Sequence, residues 1–164
     1  EHLGHHPAGR HRRGDMIEVR PLDRHDIQGM LGIIRRADIM EIEQGCGMGI
    51  REALEYGLQH STKALLMLGD GLPLAALGDV PHGQIGVPWL ISTNHIDSHA
   101  RAFLRACRPL FEQMADRHEA LTNYVDARNR VAIRWLAWLG FDIGAPVAYG
   151  PRGLPFRQFS YNRG

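Results

Sequence analysis

Two apolar runs, ALLML at 64–68 and LPLAAL at 72–77, flank the tripeptide Gly69, Asp70, Gly71. Each run falls far short of the ~18 residues that cross a bilayer, and no longer apolar run occurs elsewhere. Asp and Gly tolerate positive φ, so the pattern is that of two strands joined by a tight hairpin. An antiparallel sheet therefore lies at the centre of the chain, and the other elements must bury their apolar faces against it.

Before this hairpin, Ile17, Val19 and Leu22 alternate with polar positions as a first strand, ended by Pro21. Asp26 is placed to cap a helix carrying Ile27, Met30, Leu31 and Ile34. The GCGMG stretch at 45–49 lacks the preceding strand and following long helix of a phosphate cradle, and reads as a turn or hinge. Residues 50–60 read as a helix burying Leu54 and Leu58. After the hairpin, VPWLIST at 87–93 is a strand, and 98–118 have the period of a long amphipathic helix. Pro109 is expected to kink that helix or end a first segment near Arg108. LTNYVDA at 121–127 is a strand, 129–139 a helix closed by Gly140, and two strands follow around the turn at 151–153. The expected order is β, α, α, β, β, β, α, β, α, β, β: an α+β (mixed α/β) domain over 16–164, with helices flanking a mostly antiparallel sheet.

Residues 1–15 hold four histidines and three arginines with almost nothing apolar, and are expected to be a disordered tail or a non-native leader. The chain carries 19 basic and 18 acidic residues, a net charge of +1, which gives no electrostatic reason to expect a nucleic-acid or membrane partner. Lys63 is the only lysine, a bias that a GC-rich coding sequence explains. Cys46 and Cys107 are far apart without metal-spaced partners, so neither a disulfide framework nor a cysteine zinc site is expected.

The run NRVAIRWLAWLGF (129–141) and the element order resemble the GNAT-type acyl-CoA N-acyltransferases, whose last helix often reads N-x-x-A-x-x-L-Y-x-K-x-G-F. Asn129, Ala132, Gly140 and Phe141 fall on the family's positions, and the resemblance implies that Asn129 lies near the cofactor. Leu136 stands in the slot of the tyrosine that protonates the leaving thiolate, and leucine cannot donate a proton. Trp138 occupies the lysine slot. The family's pyrophosphate loop, Q/R-x-x-G-x-G/A, is replaced by STNHIDSHARAFLRA (92–106), which has no glycine and brings Asp97 toward the phosphate position. Arg101 and the helix start remain as anion-attracting groups.

A second resemblance spans 16–163. The opening MIEVRPLDRHD, then VPWLIST, SHARAFLRACRPLFEQM, LTNYVDARN, AIRWLAWLGF and LPFRQFSY occur in the order seen in the small internal virion protein family of T-odd short-tailed phages and related prophages. That resemblance implies a degenerate GNAT-like fold, a part in virion assembly, partners among other virion or assembly proteins, and residence in the host cytoplasm during assembly or in the virion interior. It implies no required cofactor, whereas an active enzyme would use acetyl-CoA on a protein or small-molecule amine.

Among single residues, Tyr124 and Asp126 alternate on one face of their strand and, with Asn129, form the candidate remnant site; Arg101 joins Asn129 as a candidate cofactor contact. Glu41 and Glu43 are the candidate general bases, read as a solvated pair. His95, His99 and His118 read as surface or capping residues, and no metal site is expected. Trp89, Trp135 and Trp138 read as packing residues, with Trp138 a candidate partner surface.

Overall fold

A computed structural model describes residues 16–162. The expectation for 1–15 lies outside the described residues. A seven-stranded sheet runs in the order β1-β2-β3-β4-β5-β7-β6. Its strands are β1 (Ile17–Pro21), β2 (Ala64–Gly69), β3 (Leu72–His82), β4 (Ile85–Ser92), β5 (Ala120–Asp126), β6 (Asp142–Tyr149) and β7 (Leu154–Asn162). Every neighbouring pair is antiparallel except β4 and β5. The hairpin turn between β2 and β3 is where it was expected, with Asp70 at φ 52° and Gly71 at φ 78°.

Helices cover both faces. α1 (Arg24–Met30), α2 (Arg36–Cys46) and α3 (Ile50–His60) lie on one side; α4 (Ala100–Arg117) and α5 (Arg130–Trp138) lie on the other. Strand alternation divides the core between them: Leu66, Leu68 and Ala76 pack with Ile27, Met30 and Leu54, while Met67, Ala75 and Leu77 pack with Phe103, Cys107 and Phe111. Burial on both faces is why β2 and β3 read as nearly unbroken apolar runs.

Four expectations change. Three helices, not two, separate β1 from β2, because α2 runs into the GCGMG stretch as far as Cys46 and is capped by Gly47, in the left-handed region at φ 69°. Asp23, not Asp26, caps α1. The two aspartates form a reciprocal capping box, with 2.9 Å bonds in each direction, and Asp26 also holds Arg20 at 2.7 Å. α1 stops at Met30, so Ile34 is not helical but forms a bridge with Thr93. Finally, α4 continues through Pro109 as one helix. Pro109 is exposed, and buried Phe103, Cys107, Phe111 and Met114 hold the helix to the sheet on both sides of the missing N–H.

Candidate active site

The parallel pair β4 and β5 is joined at only two positions, Ile85↔Ala120 and Gly86↔Leu121. Beyond them the strands diverge into a wedge. Its closed end is clamped by Asp79 of β3, fully buried, which accepts hydrogen bonds from Arg117 at 2.8 and 3.1 Å and contacts His118 Nε2 at 2.7 Å. Gly86 leaves room for the His118 ring, which a Cβ there would strike. Further along, the Asn123 side chain spans the gap, donating to the Pro88 carbonyl at 2.7 Å while accepting from Tyr124 N–H at 2.8 Å.

The open end is bridged by α2. Asp38 Oδ2 accepts from Ser92 N–H at 2.5 Å and Ser92 Oγ–H at 2.7 Å, at the end of β4. Glu41, one turn later, accepts from Asp126 N–H at 2.7 Å, at the end of β5. Its second oxygen accepts from Asn129 Nδ2 at 3.4 Å. Spacing of three residues puts both carboxylates on one helix face, so a single helix holds one backbone donor of each diverging strand. Between these anchors lies a cavity of about 490 Å³, walled by Trp89, Leu90, Phe103, Leu136, Tyr124 and Tyr149.

Electrostatics separates the carboxylates. Burial pushes Glu41 up to about 7; the Asp126 N–H opposes that shift and the neighbouring Asp38 adds to it. Burial likewise raises Asp38 against its bonds to Ser92. Asp126 moves the other way, because the Arg128 guanidinium bonds it at 2.7 and 3.0 Å and holds it as a carboxylate. Glu41 is thus a carboxyl group in the wedge whose raised value suits proton exchange near neutrality.

The structure brings Tyr124, Asp126 and Asn129 together at the wedge: Tyr124 and Asn129 line the cavity and Asp126 closes its edge. Tyr124 is stacked on Tyr149, with centroids 4.0 Å apart. Asp126 serves as an ionised anchor for Arg128, and Asn129 caps α5 by accepting from Ala132 N–H at 3.2 Å. Arg101 lies exposed on the first turn of α4 and does not line the cavity. The solvated glutamate pair is corrected: Glu43 is exposed, but Glu41 is drawn into the wedge. His99 is buried against Asp70 at 2.9 Å and His118 against Asp79, so both serve the frame. Among the described residues no group of three or more metal-ligating side chains gathers. Trp89 donates to Ser61 Oγ at 2.7 Å, Trp135 packs on Phe103, and Trp138 is 47% exposed.

No family model and no curated protein matches the sequence. Solved structures do. An N-acetyltransferase from Staphylococcus aureus superposes with a TM-score of 0.68 at 14% identity, over 90% of this chain and 98% of that one. An aminoglycoside acetyltransferase in complex with coenzyme A gives 0.65 at 16%, over 90% and 95%. A GNAT-family acetyltransferase from Streptococcus pneumoniae gives 0.64 at 14%, over 91% and 100%. The fold is that of the GNAT acetyltransferases. At these identities the likeness speaks for architecture.

The residues after β4 do not fit the pyrophosphate of coenzyme A in the mode that this fold implies. Backbone N–H groups that would face an anion are already bonded within the protein. Thr93 N–H goes to Leu74 O, Asn94 N–H to Ile33 O, and Ile96 N–H to Thr93 O, while His95 N–H goes to the Thr93 hydroxyl. The next residues form a 3-10 turn, Asn94–His99, whose i→i−3 ladder takes up the N–H groups leading into α4. Ile96 within it is fully buried. The stretch from Thr93 to Ile96 therefore has no free backbone N–H to offer a phosphate.

Proposed function

We propose that this chain is a GNAT-fold protein of a phage or prophage that acts in virion assembly as a binding component, with its acyl-transfer chemistry lost. The observation that carries the loss of chemistry is the sealed turn after β4, whose N–H groups are bonded to Thr93, Leu74 and Ile33. Leu136 agrees with it, because the cavity wall carries a methyl-bearing side chain where the family's acid would stand. The assembly role is supported by the ordered sequence resemblance across 16–163. Isothermal titration of the protein with acetyl-CoA and with coenzyme A is the direct test. No heat of binding at micromolar concentration is expected; micromolar binding together with acetyl transfer to an amine would overturn the reading. Flanking tail, portal or internal core genes are the expected coding context.

A second reading, an acetyl-CoA-dependent N-acetyltransferase acting on a protein or small-molecule amine, is favoured by Glu41. Its carboxylate sits in the wedge with a pKa of about 7, where a base for an ammonium group would stand. The structural neighbours weigh on this side, since those named are acetyltransferases. Thioester turnover across a panel of amines, abolished by Glu41→Gln, is its expected signature.

A further inference from the structure

The whole-chain charge of +1 conceals how the fold distributes its arginines. On α4, Arg101, Arg105 and Arg108 recur at i, i+4 and i+7, which places them along one face, and all three are exposed. On α5, Arg130 and Arg134 repeat the spacing, are also exposed, and that helix carries no acidic residue. The two helices are neighbours: the Arg108 guanidinium lies 4.0 Å over the Trp138 ring and donates to the Trp138 carbonyl at 2.8 Å, and Phe103 meets Trp135 at 5.8 Å. Arg101, Arg105, Arg130 and Arg134 make no salt bridge or side-chain hydrogen bond among the described residues. Asp97 and Glu112 bracket the α4 stripe and set its length at about two turns.

We infer that this α4–α5 face binds the phosphate backbone of nucleic acid without regard to sequence. Four guanidiniums without an ion pair among the described residues, held on two helices, form a cationic surface, and guanidinium matches phosphate oxygens in bidentate geometry. A helix rise of 1.5 Å spreads Arg101 to Arg108 over about 10 Å, the axial span of about three phosphates of one strand at 3.4 Å each. Trp138, 47% exposed beside the arginines with one ring face under the Arg108 guanidinium, leaves its remaining exposed surface for an unpaired base to stack on. An acidic protein surface would be met by the same charges but would bring no base to the exposed part of that ring. The inference stands apart from the assembly role and from acyl transfer, and neither falls with it.

The test is fluorescence anisotropy of the full chain with labelled duplex and single-stranded oligonucleotides of mixed sequence, titrated at about 50 and about 200 mM salt. Four contacts predict a log–log salt slope of about −3.5 on duplex, so affinity falls about a hundredfold across that range. Arg101→Gln with Arg105→Gln should reduce the slope by about 2 and weaken binding at least tenfold at low salt. Arg130→Gln with Arg134→Gln should do the same. Both pairs are exposed and should leave the far-UV circular dichroism unchanged. Absence of binding at low salt overturns the inference, as does binding that both double variants retain. Equal competition by polyglutamate per unit charge overturns it in favour of an acidic protein, and binding to phosphatidylserine vesicles without oligonucleotide binding overturns it in favour of a membrane surface.

Discussion

At the scale of single residues, Glu41 is where sequence and structure part most. Its sequence setting, IMEIEQ, is that of a solvated helix face, and nothing local distinguishes Glu41 from Glu43. The difference arises from the turn of α2 over the wedge, which puts Glu41 against Asp126 and Asn129 while Glu43 faces solvent. The consequence is testable through stability. The folded value of about 7 lies above the ordinary 4.5, so the folded protein holds a proton that the unfolded chain releases. This group's contribution is therefore undiminished below pH ~4.5, declines as pH rises toward 7, and reaches its full penalty above that, on the order of 3 kcal/mol. Glu41→Gln should raise the urea midpoint at pH 8 and change it little at pH 4.5, flattening the profile between. An equal change at both pH values would show that lost packing, rather than ionisation, governs the variant. Asn129 was singled out by the family resemblance and Asp126 by strand alternation; both stand at the wedge, but the pairing of Asp126 with Arg128 and the capping of α5 by Asn129 had no signal in the sequence.

At the scale of elements, periodicity identified what packing also demands. The β2–β3 hairpin, β5 and α5 announce themselves because turn chemistry and burial agree in one short stretch. α2 did not, because its only buried residue is Gly45 and its decisive side chains are the polar Asp38 and Glu41, which point at strand ends rather than into a core. Hydrophobic period cannot report a helix held by carboxylate–backbone bonds. α4 shows the opposite case: of the kink or segment end expected at Pro109, the segment end does not occur, and packing carries the helix on to Arg117. Its exposed ring deletes one helix N–H without contributing to the core. Pro109→Ala should restore that bond and stabilise the protein by about 1–2 kcal/mol, the helix gain of about 3 being offset by a more flexible unfolded chain and by strain already relieved. Thermal unfolding followed by circular dichroism measures it, and a lowered midpoint would mean that the proline fits α4 better than alanine.

At the scale of the whole molecule, the sheet is two antiparallel blocks, β1–β4 and β5–β7, joined through a parallel seam of two residue pairs. Such a seam is short for a sheet of seven strands, and it cannot alone make the blocks fold as one. Three devices reinforce it. α4 packs on both blocks through the larger core, α2 ties the far ends of β4 and β5, and Asp79 clamps β3 to the Arg117–His118 exit of α4. Of these, the Asp79 clamp is the most sensitive to a single atom, since a fully buried carboxylate balances one guanidinium and one imidazole there. Asp79→Asn keeps the volume but removes the charge, leaving Arg117 without its counter-ion, and should cost about 3 kcal/mol. If the clamp couples the blocks, the loss has a second signature. The urea transition should broaden and its m-value fall, because the β5–β7 block then loosens before the β1–β4 block exposes its core. Hydrogen exchange resolves the order, with the Asp79→Asn variant expected to lose protection first along β5 and β7. Uniform loss of protection at an unchanged m-value would instead place the coupling in the α4 core and α2, with the buried aspartate only adding to global stability.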